Sequence, residues 1–276
     1  MEDRWLGIDF SGNDLMWRRG CKRSNVWIAD VRRDRDGLRL HDVCRVQHLA
    51  GSTQPFDRLA ALLAAGQYEA AGIDAPFSVP DVFVRRTGGH SALLKRVGTA
   101  SGMGRPFMKG SDMVKLIAGV VPPLTPPKPM RAADAFWTKL KINVRSPMWT
   151  GARPGAPMTA ACLTLLHRAG RPLWPWSSVG SGLLVEAFPA GQLATWRLPH
   201  VKYDGVSEAA TATRATIIDA LTLRVQLGSW TPTLLKSADA LDAVLAAFGA
   251  VAVITSKVQS PNGATVATEG WVAVHP

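Results

Sequence analysis

The chain has 276 residues, is 47% hydrophobic and carries a formal net charge of +11; that is enough apolar material for one substantial core or two small ones, which excludes a disordered polymer. The start MEDRWLGIDF has no basic segment followed by an apolar stretch and a cleavage site, and no later apolar run is long and clean enough to span a bilayer. The expectation is therefore a soluble, cytoplasmic protein with no membrane partner. Cys21, Cys44 and Cys162 are far apart and in no metal-ligand spacing, so they read as reduced thiols without zinc.

In chain order, RWLGIDFS is strand-like, and SNVWIADVRR and GLRLHDVCRVQHL read as two more strands joined through the DRDG turn. Three strands in succession predict an antiparallel meander. FDRLAALLAAG has helical spacing and closes on Gly66. YEAAGIDAPFSVP then supplies a fourth apolar strand stopped by Pro76 and Pro80, with the helix as its crossover. After a Gly/Pro-rich stretch come a helix over MTAACLTLLHRAG and a fifth strand in SGLLVEAFPAG. Helices follow over SEAATATRATIIDALTLRVQLG and SADALDAVLAAFGAVAVIT, and the chain closes with a short strand-like piece, GWVAVHP. The fold class is α/β.

The charge is localised. Between Arg85 and Arg153 there are thirteen Lys/Arg against two acids, so this segment carries the whole excess of +11 and the rest of the chain is balanced. It contains TGGHS, GTASGMGRPFMKGSD and VVPPLTPPKPM, punctuated too often for one continuous helix or strand. It reads as a basic insertion within a single domain. Phe107, Phe136, Trp137 and Trp149 are interleaved with its charges. Cations contact phosphates and exposed rings stack on bases, so Arg131, Trp137, Lys139, Lys141, Arg145 and Trp149 are candidate nucleic-acid contacts. The alternative is a solvated surface loop with its aromatics pinned in the core.

Acids interrupt three apolar strands: Asp9 in the first, Asp74 in the fourth and Glu186 in the fifth. Asp239 and Asp242 are three residues apart and share one face of the last long helix. If the fourth and fifth strands flank the first, all converge at one sheet end, where mutual repulsion raises their pKa values unless a divalent cation neutralises them. Each acid also has a local explanation: Asp9 bonding the SGN turn amides, Asp74 starting the turn before Pro76, Glu186 pairing with an arginine, Asp239 favouring a helix start. Their joint occurrence favours a shared site. His90, His167 and His200 read as solvated.

GIDFSG, NVWIADV, GIDAPFSVP, VEAFPAG, the RAAD at Arg131 to Asp134, SADALDAVLAAFGA and EGWVAV, in this order over nearly the whole chain, resemble the domain-of-unknown-function family 429, described as predicted ribonuclease H-like nucleases. The resemblance implies a ribonuclease H-like fold, a mixed five-stranded sheet with three antiparallel and two parallel strands and helices on its faces. It carries Asp9 and Asp74 onto the first- and fourth-strand acids, Glu186 onto a Glu-x-x-Pro position and Asp242 onto the helix acid. Asp239 with Asp242 is also similar to the Asp-x-x-Asp helix of Holliday-junction resolvases. After Glu186 the chain has AFP where a histidine or tyrosine is expected before the proline.

The chemistry this implies is phosphodiester hydrolysis by two Mg²⁺ or Mn²⁺ ions about 3.5 to 4 Å apart. Asp9 would bridge them, Asp74 and Asp242 would hold one each, and Glu186 or Asp239 would complete a shell. Two other functions compete. One is an actin-like phosphotransferase or ATPase, whose phosphate would be cupped by DFSG, although GIDAPFSVP lacks the expected second glycine turn. The other is a non-catalytic nucleic-acid-binding module.

Overall fold

Trp5, Leu6, Ile8 and their apolar neighbours give the first strand two buried faces, and the chain builds outward from it. The computed structural model describes residues 3–100, 104–125, 127–178, 180–258 and 263–276. Strand β1 (Arg4–Asp9) pairs antiparallel with β2 (Trp27–Asp34), and β2 pairs antiparallel with β3 (Gly37–Arg45). Helix α1 (Pro55–Ala65) ends on Gly66, which takes the left-handed conformation at φ 63° as a helix-terminating glycine does. It crosses over to β4 (Ala70–Asp74), parallel to β1, and β5 (Leu183–Glu186) is parallel to β4. The sheet order is β3-β2-β1-β4-β5, the mixed sheet that the resemblance implies.

The two faces of the sheet are covered differently. Leu6, Ile8 and Ile73 point into a core shared with α1 and with α6 (Ala156–Ala169). The opposite face lies under α10 (Ala238–Ile254), a helix rich in alanine whose backbone approaches β1 and β4 closely. Two glycines permit this. A Cβ built at Gly7 would run into the carbonyl oxygen of Ala243, and one at Gly72 into that of Ala246. We expect Gly7→Ala to destabilise the protein by at least about 1–3 kcal/mol, the usual cost of overpacking a core, measured by denaturant unfolding.

The basic stretch is helical in pieces, with irregular chain over 119–125, 127–131 and 140–153. Its described part, which leaves out 101–103 and 126, forms α3 (His90–Thr99), α4 (Gly110–Ala118) and α5 (Ala132–Lys139), preceded by the short α2 (Asp81–Arg86). Leu93, Val97, Phe107, Met113 and Ile117 from these pieces join the core around α6. The glycines and prolines separate helices; they do not dissolve them. His90 is not solvated as its loop-like context suggested. Its ring stacks on Trp176 at 3.6 Å, its Nε2 lies 2.8 Å from the Phe77 carbonyl oxygen, and burial lowers its pKa to about 4.

The remaining elements are α7 (Pro189–Thr195), α8 (Glu208–Thr222), α9 (Thr231–Lys236) and α11 (Ala264–Glu269). The closing GWVAVHP is not a strand. It touches the sheet through one bridge, Ala187 to Ala273, with the Ala273 N–H donating to the Glu186 carbonyl at 2.9 Å. Just before it, Glu269 is buried and accepts from the backbone N–H groups of Asp81 and Ala132. One carboxylate thereby caps the first turns of α2 and α5. Among the described residues no helix is long and apolar enough to cross a membrane.

Candidate functional site

The period of two along each strand decides which acids meet. Asp9 follows Gly7 on the α10 face of β1, and Asp74 follows Gly72 on the same face of β4; the register pairs Asp9 with Asp74. The first turns of α10 bring Asp239 and Asp242 to this end of the sheet. After burial, the Asp242, Asp74 and Asp239 charges, in that order, push the Asp9 pKa well above its ordinary value. Burial and then the charge of Asp74 raise Asp242, whose Oδ1 accepts a 2.8 Å hydrogen bond from the Tyr203 hydroxyl. Asp74 is pushed up to about 7 by burial and then by Glu186, with Arg145 opposing. Burial raises Asp239 as well, and Arg45 opposes it. Among the described residues none of these four aspartates forms an ion pair.

Glu186 has a different environment. In the parallel ladder it pairs with Ile73, not Asp74, and directly paired residues point to the same face. It therefore faces the α6 side, where the Arg131 guanidinium meets it with two bonds, Nη1 to Oε2 at 2.7 Å and Nη2 to Oε1 at 2.6 Å. Oε2 accepts a further bond from the Phe77 N–H at 2.8 Å. Asp134 binds the other edge of Arg131, taking Nε at 3.1 Å and Nη2 at 2.8 Å. The acid chosen as a metal ligand is thus held in a buried triad, the arginine pairing weighed as its local explanation.

The nucleic-acid candidates divide in the same way. Arg131 is 2% exposed and Trp137 4% exposed, so what little each exposes lies in the wall of the acid-lined cleft and not on an open surface. The guanidinium is consumed by two carboxylates, and the indole packs edge-on against Phe136 and Phe188. Lys139, Lys141 and Arg145 are exposed. Trp149 is half-buried, with its Nε1 bonded to the Ala152 carbonyl and the Lys128 ammonium over its ring at 5.2 Å.

A cleft of about 290 Å³ opens at this sheet end. Asp9, Asp74, Asp239 and Glu186 line it together with Asn25, Asn143, Arg145 and the ring of Phe188. Tyr203 carried no signal in the sequence, and Asn25 none beyond opening the NVWIADV motif, since each lies in irregular chain and gains its place only from the fold. Among the described residues the Asn25 side-chain oxygen is buried without a hydrogen-bond partner. All the acidic donors are hard oxygens, the type Mg²⁺ and Mn²⁺ select. No group of three or more His, Cys, Asp or Glu side chains among the described residues is arranged as a ready ligand cage. Gly12, in the turn after β1, packs against the backbone of Pro157 and Met158, where a Cβ would not fit.

The raised carboxyls make a stability prediction. An acid whose pKa is higher folded than unfolded contributes stability that is complete below its unfolded value and is lost as pH rises through the folded value. For Asp74 that window runs from about 4 to about 7. Without divalent metal, wild type should lose stability across it relative to Asp74→Asn, by on the order of 2 kcal/mol after allowance for solvent at the cleft. Thermal melts of both proteins from pH 4 to 8 measure the difference.

The α/β sheet thus brings Asp9, Asp74, Asp239 and Asp242 to one end with no ion pair to any of them among the described residues. The family model described as protein of unknown function (DUF429) matches residues 7–265, and the chain belongs to that family. No curated protein and no solved structure matches it.

Proposed function

We propose that the chain is a divalent-metal-dependent nuclease of ribonuclease H-like architecture that hydrolyses phosphodiester bonds. The strand order with three antiparallel and two parallel strands supports the architecture. The observation that carries the activity is the set Asp9, Asp74 and Asp242 at one sheet end, Asp9 buried and the other two half-buried, with the Asp9 pKa raised, after burial, by Asp242 and Asp74, that of Asp242, after burial, by Asp74, and no ion pair to any of them among the described residues. Burying charges unpaired is costly, and a site that retains several has a use for their repulsion.

The donor chemistry fits Mg²⁺ or Mn²⁺. Magnesium is commonly held by one or two carboxylates together with water and substrate phosphate, without an all-protein cage. Asp9, Asp74 and Asp242 would hold it, with Asp239 at the cleft wall. When bound, such a cation neutralises phosphate charge and lowers the pKa of water. Asp9 and Asp74 are fixed on adjacent strands in paired register, so their separation is set by the sheet. Tyr203 fixes one oxygen of Asp242 and leaves the other free to bind. Arg145, exposed and lining the cleft, orients a phosphate at its mouth. Glu186 anchors Arg131 and acts through the field it exerts on Asp74.

The test is a panel of single- and double-stranded DNA, RNA and hybrid oligonucleotides incubated with Mg²⁺, Mn²⁺ or EDTA. Cleavage of at least one class, present with metal and absent with EDTA, is expected. No cleavage of any class with either metal contradicts the reading.

A further inference from the structure

Counted along the chain, positive charge belongs to residues 85–153, but the fold places a second basic group beside the acid cleft. The loop between β1 and β2 contains RRGCKR over 18–23, four cations and no acid. Because Asp9 pairs with Trp27, and Trp27 with Arg45, this loop projects from the sheet end that carries Asp9. It runs directly into Asn25, which lines the cleft. Arg18, Arg19, Lys22 and Arg23 are all exposed, and none forms an ion pair among the described residues. The nearby acid Asp14 is already paired, with Arg105 at 2.9 Å.

The backbone beneath these cations is pinned. Trp17 is buried, and its Nε1 donates to the Ser11 carbonyl at 2.9 Å. Gln47 Nε2 donates to the carbonyls of Met16 at 2.7 Å and Arg18 at 3.3 Å, and Ser24 Oγ donates to Met16 at 2.9 Å. Arg45, its guanidinium over the Trp27 ring, donates to the Lys22 carbonyl at 3.0 Å. The side chains of β3 and its exit thus hold the loop from below while its four charges face solvent. Holding a charged loop in place reduces the ordering cost of binding.

We propose that residues 18–23 form a phosphate-binding rim for a nucleic-acid strand, on the β2–β3 side of the cleft, opposite the one supplied by Lys139, Lys141 and Arg145. The proposal rests on the nuclease reading for its partner and extends it by a surface. The cleft itself is acidic and repels a polyanion, so attraction must come from its two flanks. A strand crossing from one flank to the other passes Asp9 and Asp74.

The test is fluorescence anisotropy of a labelled single-stranded oligonucleotide in EDTA across a salt series. It compares wild type, a loop variant with Arg18, Arg19, Lys22 and Arg23 all changed to Gln, and a control with Lys95→Gln, Arg96→Gln and Lys115→Gln. The control cations are exposed on α3 and α4, which contribute nothing to the cleft. Each lost contact removes about 0.7 from the slope of log affinity against log salt. The loop variant should lose at least about 1.4, two contacts by that measure, and the control should keep the wild-type slope. An unchanged slope in the loop variant, or an equal loss per charge in both, overturns the proposal. Arg19→Gln and Lys22→Gln singly repeat the measurement should the fourfold variant fail to fold. Because no divalent metal is present, binding in this pattern by a protein that cleaves nothing would sink the nuclease reading alone. Cleavage with an unchanged slope would sink the rim alone.

Discussion

Asp9→Asn should remove metal-dependent cleavage by about a thousandfold or more, about 4 kcal/mol of transition-state stabilisation, while making the metal-free protein more stable at neutral pH. Both effects have one origin. Asp9 is buried and its ionised form is opposed by Asp242, Asp74 and Asp239, so the charge useful to a cation is a burden without one. Asparagine keeps the shape and removes the repulsion. Loss of function with a gain in stability is the pattern of a strained functional site. A purely structural aspartate predicts the reverse, lower stability with activity kept. Cleavage rates at saturating Mn²⁺ and melts in EDTA distinguish the two outcomes.

Arg131→Leu should be the most destabilising single change in the vicinity. It strips the guanidinium from two buried carboxylates, Glu186 and Asp134, and leaves both without their cation. Removing one member of a buried pair costs about 3–5 kcal/mol. At the start of α5 the Asp134 carboxylate accepts from the Arg131 backbone N–H and from its guanidinium, and leucine keeps only the first of these bonds. Arg131→Lys should recover only part of the loss, since an ammonium cannot bond both carboxylates side-on. Chemical denaturation of both variants gives the values. A loss below about 1 kcal/mol for Arg131→Leu, the range of an exposed pair, would contradict the triad as described.

The order of elements was legible because local chemistry specified it. The DRDG turn, the glycines closing α1 and α6 and the apolar runs of β1 and β2 all lie in short windows. The convergence of Asp9 and Asp74 was also readable, since each ends an apolar run. What could not be read was register. Glu186 interrupts its strand just as the aspartates do, yet pairing with Ile73 turns it to the other face and into the grip of Arg131. A one-residue difference in pairing reverses that outcome. Arg131 and Trp137 looked like groove residues from the charge around them, but their burial follows from contacts with Glu186 and Phe188, distant in sequence. The cations of 18–23 were lost in a balanced count, and only the β1–β2 register sets them at the acidic end.

The central claim is that the aspartates at this sheet end bind a divalent cation, and calorimetric titration of Mn²⁺ into the metal-free protein tests it most directly. It should be run above pH 7, where Asp74, with its pKa near 7, is largely ionised. Saturable binding is predicted for wild type, weakened at least tenfold in Asp9→Asn and in Asp242→Asn and unaffected in the control Asp57→Asn on α1. No saturable binding by wild type, or equal affinity in the Asp9 and Asp242 variants, would contradict the account.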